Sequence, residues 1–300
     1  HFLFLFFAHF NAPAPLSDSD DYLHASENLY SQGVLYCGDL SKPIVEEKFT
    51  RRPPLYPLLL GSVTLTGTPL PAILIQILIS MLSIALVFRM FFAPNKLFRL
   101  EGADGLDEPD STPGKQTWTP GKQGVVFATI LLLATPSQFI YANRLMAEVL
   151  FQLLLVGMAW SVYRYVEGRE SRFIWIFYLL MTLGMATKPV LFPFSILCMI
   201  GSLVLFSYTK QKAFLLAMLI PLFWIGFYSI WNFNRTGSAQ YSSIQTANLV
   251  NYNFRYFIMG QEGSGYAAAE VDRLYEVCGE ETTYKEKNKC LEQGVRKVLM

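Results

Sequence analysis

Residues 70–92 read LPAILIQILISMLSIALVFRMFF. Leu, Ile, Val and Met fill this run almost throughout, and Gln76 and Arg89 are its most polar members. A helix that crosses the hydrocarbon core of a bilayer needs about 20 predominantly apolar residues. The run therefore predicts a membrane-spanning helix.

The composition of the whole chain agrees with this prediction. The 300 residues are 52% hydrophobic and 15% aromatic, and the mean hydropathy is +0.32. The apolar residues form long blocks, which bilayer spans explain better than an ordinary soluble core does. Further spans are predicted at 124–141, 146–166, 173–186, 190–208 and 213–231. The net charge of +1 argues against a nucleic-acid-binding protein, which would carry a basic stripe.

The segments outside these blocks predict loops of different kinds. Residues 1–10 are apolar but too short to span, and we interpret them as the tail of a truncated first transmembrane helix, with a signal-peptide remnant as the lesser alternative. Residues 12–69 predict a mixed loop with a short helix at 22–30. Within it, 53–66 is apolar but interrupted by prolines, which favours an interfacial or re-entrant helix. Residues 94–123 are rich in Gly, Pro and charge and predict a flexible loop.

Basic residues in the loops predict the orientation. They are more numerous in the loops at 94–123, 164–172 and 210–212 than in the opposite set, so the first set is expected to be cytoplasmic. The loop at 12–69 and the polar C-terminal segment would then face the outside. The predicted domains are a transmembrane region at 1–231 and an outer polar segment at 232–300.

The cysteines carry one structural prediction. Cys37, Cys198, Cys278 and Cys290 include no CxxC pair, which argues against a structural zinc site. Cys278 and Cys290 can close a small disulfide loop if their segment lies outside the cytosol.

A carboxylate cluster stands in the first polar loop. Asp18, Asp20 and Asp21 lie within four positions of one another. Carboxylates so near to one another repel, so they either share a bound cation or favour a proton on one of them. The alternative is a solvated acidic loop in which Asp18 caps a helix that starts at Tyr22.

Basic residues outside the spans have two interpretations each. Arg51 and Arg52 would contact a phosphate or anchor the loop to anionic lipid. Arg144 and Glu148, at positions i and i+4 of a span mouth, would serve a site or pair across one helical turn. Lys188 would bind a ligand or extend to the lipid headgroups.

Five segments occur in an order that is typical of a known family. Residues 18–29 read DSDDYLHASENL and residues 52–58 read RPPLYPL, against family patterns D-S-x-x-Y-L-x-x-A-x-N-L and R-x-P-x-Y-P-L. Arg144 to Glu148 matches R-x-x-x-E, and 187–189 matches a T-K-x-P turn with one residue fewer. Residues 231–237, WNFNRTG, look like a W-R-N-x-x-x-x-G element. The chain thus resembles the membrane-embedded GT-C glycosyltransferases, in particular the superfamily of protein O-mannosyltransferases and the lipid A aminoarabinose transferase.

The resemblance implies a reaction. A sugar would pass from a polyprenyl-phosphate donor to a lipid, glycan or protein acceptor at the outer membrane face, with inversion at the anomeric carbon. Asp18 is implied as the general base, with Asp21 as the second choice, and Arg52 and Lys188 as contacts for the departing phosphate.

The resemblance also implies supporting residues and a setting. Arg144, Glu148, Tyr22 and Tyr56 would support the pocket; no cofactor is certain, and a divalent cation is one option. The implied fold is an all-α multi-span GT-C helix bundle with loop helices on the outer face, truncated at both ends. Its expected location is the inner or plasma membrane of a bacterium, or the endoplasmic reticulum membrane of a eukaryote. The alternative is a multi-span transporter or a non-catalytic lipid-binding membrane protein.

Overall fold

The computed structural model describes residues 17–92, 137–281 and 283–299. Every regular element in these ranges is helical, which confirms the all-α prediction there. The predictions for residues 1–10, for the loop at 94–123 and for most of the span at 124–141 lie outside the described residues.

The helices are numbered in chain order. They are α1 (Ser17–Gln32), α2 (Leu55–Leu59), α3 (Gly61–Thr66), α4 (Leu70–Phe92), α5 (Ser137–Ala142), α6 (Glu148–Gly168), α7 (Arg172–Thr187), α8 (Leu191–Thr209), α9 (Lys212–Ala217), α10 (Leu219–Thr236), α11 (Ile244–Asn248), α12 (Arg255–Glu262), α13 (Ser264–Gly279) and α14 (Tyr284–Leu299). A 3-10 helix occupies Glu46–Phe49, and a π-helical turn occupies Leu249–Phe254.

In the described ranges, four helical segments are long and apolar enough to cross a membrane. They are Leu70–Met90, Glu148–Gly168, Leu191–Thr209 and Lys212–Thr236. They confirm the long apolar helices predicted at 70–92, 146–166, 190–208 and 213–231, and they indicate a membrane protein. The apolar segment predicted at 173–186 forms α7, which has only 16 residues and is shorter than the other four.

The chain divides into two compact units that are discontinuous in sequence. The first unit contains the described residues of 66–185 and 191–221, and the second contains those of 16–65, 186–190 and 222–300. The hydropathy of the sequence placed a single boundary at 231, where the chain turns polar. In the structure the first polar loop and the C-terminal helices belong to the same unit.

In the first unit, a buried amide joins α4 to the turn before α6. The side chain of Gln76 is fully buried, and its Nε2 donates to the backbone oxygens of Tyr141 at 3.2 Å and Arg144 at 2.7 Å. Ile77 and Val149 pack beside it in one apolar cluster. The polar residue inside the first predicted span therefore satisfies one carbonyl group in the last turn of α5 and one in the turn after it, as expected for a polar group at membrane depth.

In the second unit, the C-terminal helices share an apolar core. Its buried members are Val250, Phe254, Ile258, Ala267, Val271, Cys278, Leu291 and Val295. A disulfide joins Cys278 of α13 to Cys290 of α14, with 5.6 Å between the two Cα atoms. The structure thus forms the pairing that the sequence allowed.

We expect the Cys278→Ser/Cys290→Ser protein to be less stable in this segment. The disulfide closes a loop across a sequence separation of 12, and such cross-links contribute about 2–4 kcal/mol to the free energy of unfolding. Hydrogen exchange of α13 and α14 should become faster in the variant, while exchange of α4 and α6 should not change. Unchanged protection of α13 and α14 would contradict this role.

Candidate active site

The acidic residues of the first polar loop lie in the first turns of α1. The helix begins at Ser17, so Asp18 and Asp21 are three residues apart and share one face. Asp20 is exposed and lies about half a turn around the helix from Asp18. The expectation that Asp18 caps a helix starting at Tyr22 is wrong, because Asp18 is already inside the helix. Carboxylates in the first turn are favoured by the helix dipole.

A buried guanidinium joins the two carboxylates of this face. Nη2 of Arg52 donates to Oδ1 of Asp18 at 2.6 Å and to Oδ2 of Asp21 at 3.2 Å. Nε of Arg51 lies 3.1 Å from the same Asp21 oxygen. These four residues, Asp18, Asp21, Arg51 and Arg52, are called the charged cluster below.

Arg52 is held in the charged cluster by aromatic rings as well as by carboxylates. Its guanidinium carbon lies 4.8 Å from the centre of the Tyr22 ring, and Tyr22 meets Tyr56 edge to face at 4.7 Å between ring centres. Burial lowers the pKa of Arg52, but Tyr22, Asp18 and Asp21 raise it more, so the net pKa lies above its ordinary value. The structure therefore places Tyr22 in contact with Arg52, and Tyr56 in contact with Tyr22.

The members of the charged cluster differ in their access to solvent. The side chain of Arg52 is 6% exposed and that of Asp21 is 14% exposed, whereas that of Asp18 is 43% exposed. Asp18 is therefore accessible to solvent, while the buried Arg52 fixes the orientation of its carboxylate. Nε of Arg52 is buried and has no hydrogen-bond partner among the described residues. A buried donor in that state is the kind of group that a bound anion would satisfy.

Residues close to α11 hold the basic segment in place. The hydroxyl of Ser242 donates to the backbone oxygen of Arg51 at 3.3 Å, and that of Ser243 donates to the backbone oxygen of Glu47 at 2.8 Å. Both serines are buried. The polar C-terminal part of the chain thus fixes the backbone that presents Arg51 and Arg52.

Two side chains that sequence analysis did not select fix the loop after α1. Nδ2 of Asn28 donates to the backbone oxygens of Tyr36 and Gly38, both at 2.8 Å. Nη1 of Arg235 donates to the backbone oxygen of Leu35 at 3.1 Å, and its guanidinium lies 3.9 Å from the centre of the Trp231 ring. Asn28 falls inside the segment 18–29 and Arg235 inside the segment 231–237. The sequence signal that could have identified these two residues was their position in segments that match the family patterns.

We expect Cys37, which this loop buries, to be inert to thiol reagents in the folded protein. Burial is the largest cause that raises the pKa of its thiol, from 9.0 to about 12. The folded thiol keeps a proton that the unfolded thiol loses, so its contribution to stability is present below the unfolded pKa and falls as the pH rises above it.

In a Cys198→Ser background, maleimide at mildly alkaline pH should modify Cys37 only after denaturation, as followed by mass spectrometry. Modification of the folded protein at the rate of the denatured one would contradict the burial.

The predicted pair Arg144 and Glu148 lies in the first unit. Arg144 is in the turn after α5, and Glu148 is the first residue of α6. The two residues are therefore not on one continuous helix, and the prediction that they lie one helical turn apart is wrong. The backbone oxygen of Arg144 accepts the bond from Gln76, which fixes the turn.

Lys188 lies in the second unit, as the charged cluster does. It follows α7 directly and is half-buried. Pro189 comes next and α8 begins at Leu191, so the connection between the two helices is as short as the sequence predicted. The role of Lys188 as a phosphate contact stays a prediction.

The option of a divalent cation also stays a prediction. The described residues contain no group of three or more His, Cys, Asp or Glu side chains that could hold a metal ion. Asp18 and Asp21 are joined instead by Arg52, and Asp20 lies about half a turn from Asp18. Of the three clustered aspartates, Asp18 and Asp21 are thus bound to a guanidinium, and Asp20 is not part of this pair.

Comparison of the chain with protein-family models, with curated proteins and with solved structures finds no match.

Proposed function

We propose that this chain is an inverting glycosyltransferase that moves a sugar from a polyprenyl-phosphate donor to an acceptor at the outer face of a membrane. One observation carries the proposal. A partly exposed carboxylate, Asp18, is oriented by a buried arginine, in a chain whose described residues include four candidate membrane spans. General-base catalysis requires a carboxylate held within hydrogen-bond reach of the acceptor proton, and the contact with Arg52 holds Asp18 in one orientation.

Asp18 is the base in this proposal. The acceptor oxygen forms a bond to the anomeric carbon while Asp18 takes the proton of that oxygen. The bond from the anomeric carbon to the phosphate oxygen breaks, and polyprenyl phosphate leaves with the bonding pair. The ion pair with Arg52 keeps Asp18 oriented before the reaction, which lowers the entropic cost of reaching the transition state.

Asp21 has a positioning role in the same scheme. It contacts both Arg51 and Arg52 and is largely buried, so it fixes the two cations rather than meeting the acceptor. Asp21 therefore becomes the candidate base only if the protein transfers sugar without the Asp18 carboxylate.

The phosphate leaving group needs positive charge, because negative charge develops on it as the glycosidic bond breaks. Arg52 has one buried donor without a partner among the described residues, and Arg51 is about one-third exposed. We propose that these guanidiniums and Lys188 attract the phosphate. The supporting role of Arg144 and Glu148, which lie in the first unit, stays a prediction, as does a fold of the GT-C type.

Transfer itself tests the proposal. Membranes that contain the full chain would be supplied with a radiolabelled sugar on purified polyprenyl phosphate. We expect label to become covalently attached to an acceptor, and membranes without the chain to show none. Movement of intact labelled donor across the bilayer without transfer would support a transporter instead. No transfer from any donor tried would overturn the proposal.

A further inference from the structure

The segment that follows the last candidate span has a buried apolar face and an exposed side that is rich in aromatic residues. Val250, Phe254 and Ile258 recur every four residues through the π-helical turn and α12, and all three are buried in the core formed with α13 and α14. A helix at the surface of a soluble unit normally has a polar face opposite such a stripe. In this segment the opposite side carries exposed aromatic residues among the exposed polar residues Asn253 and Arg255.

The other face carries exposed aromatic and sulfur side chains. Tyr252, Tyr256 and Met259 are spaced along it, and the Tyr252 and Tyr256 rings stack with 6.4 Å between centres. Phe257 follows on its flank, and Tyr266 comes from the start of α13. These five side chains, called the aromatic face below, are each between 39% and 59% exposed. Exposed apolar side chains that gather on one part of a protein mark an interaction surface.

Hydrogen bonds tie this segment to the last turns of a candidate span. Residues 222–236, the end of the span Lys212–Thr236, belong to the second unit. Gly237, with a φ of +65°, ends α10, and the chain then turns back. Nδ2 of Asn232 donates to the backbone oxygens of Gln240 and Tyr241 at 3.0 and 3.1 Å.

The side chain of Tyr241 also reaches the span. Nε1 of Trp224 donates to the hydroxyl of Tyr241 at 2.8 Å. Trp224 precedes Thr236 by twelve residues, which is about 18 Å along a helix at 1.5 Å per residue. Nε2 of Gln240 donates to Thr246 in α11 at 2.9 Å, so α11 is fastened to the same returning segment. The aromatic face begins only four residues after α11 ends, beside a helix that is long and apolar enough to cross a bilayer.

We propose that the aromatic face is an interfacial anchor whose partner is the lipid bilayer, at the boundary of headgroups and acyl chains. Tyrosine is enriched at that boundary because its ring is apolar and its hydroxyl is wet. Phe257 and Met259 enter the acyl region, where they need no hydrogen-bond partner. Arg255 is exposed between the tyrosines and meets anionic headgroups. The inference does not depend on the reaction that the protein catalyses.

Site-directed spin labelling tests the anchor. In the full chain with Cys37→Ala and Cys198→Ala, a nitroxide would be attached at Tyr256→Cys, and at Tyr266→Cys in a second protein. Asp272→Cys, an exposed position on α13 outside the aromatic face, is the matched control. Each protein would be placed in vesicles of phosphatidylcholine and phosphatidylglycerol. Collisions of the nitroxide with oxygen, which prefers lipid, and with a water-soluble nickel complex would then be compared.

The anchor predicts a ratio of oxygen to nickel collisions that is several-fold higher at positions 256 and 266 than at 272. Equal ratios at the three positions would place the aromatic face in water and overturn the proposal. Protection of positions 256 and 266 from both reagents would mean that a protein or glycan covers the face, and would also overturn it. Because two reporter positions are used, a folding defect at one of them leaves the test intact.

Discussion

The Asp18→Asn protein is expected to bind the polyprenyl-phosphate donor and to transfer sugar about 10²–10⁴-fold more slowly than the unsubstituted chain. Asparagine keeps the shape of the side chain and can still accept a hydrogen bond from Arg52. It cannot take a proton from the acceptor. The loss should therefore appear in the transfer rate at saturating donor, with the donor dissociation constant little changed.

Asp20→Asn is the matched control for this substitution. It removes one carboxylate from the same turn of α1, but Asp20 is exposed and lies about half a turn around the helix from Asp18. We expect transfer by the Asp20→Asn protein within about twofold of the unsubstituted rate, because the Asp20 carboxylate is in water, whose high dielectric constant weakens its effect on Asp18. Transfer by the Asp18→Asn protein at the unsubstituted rate would remove Asp18 as the base and make Asp21 the next candidate.

Replacing Arg52 by methionine should destabilise the second unit and also abolish transfer. Arg52 is buried, and its removal leaves Asp21, only 14% exposed, with Arg51 as its remaining cation in the charged cluster. We expect a cost of about 2–4 kcal/mol, below the usual upper range for breaking a buried pair because Asp18 reaches solvent. Thermal unfolding of the purified protein, monitored by circular dichroism, would measure it.

Two further variants separate stability from transfer. Arg51→Met removes a more exposed cation with one carboxylate contact, and we expect a cost of at most about 1 kcal/mol. Arg52→Lys keeps the charge but not the planar fork, so it should recover part of the stability and little of the transfer rate. An Arg52→Met protein that unfolds at the unsubstituted temperature would contradict the structural role of Arg52.

The spans were predictable from the sequence because hydropathy is a local property. Leu70–Met90 and Leu191–Thr209 correspond closely to apolar runs that are visible in the chain. The break between α9 and α10 at Met218 was not predictable, since the residues on both sides of it are equally apolar. The helix limits of α1 were also missed, because its polar sequence has no apolar periodicity to mark where it starts.

The charged cluster was predictable in its members but not in its contacts. Asp18, Asp21 and Arg52 were all selected, but Arg52 was expected at a phosphate rather than against the carboxylates. That ion pair joins residues 34 positions apart, and no local pattern reports such a contact. Asn28 and Arg235 act through backbone oxygens, which exist at every residue, so the sequence alone cannot show which ones they bind.

The stereochemistry of transfer tests most directly the claim that the sugar is transferred in a single displacement. A donor with a known β linkage to polyprenyl phosphate would be supplied to the unsubstituted protein, and the anomeric configuration of the product would be determined by nuclear magnetic resonance. The account predicts an α-linked product. A β-linked product would contradict it, because retention requires two displacements and a covalent intermediate on a nucleophile of the protein.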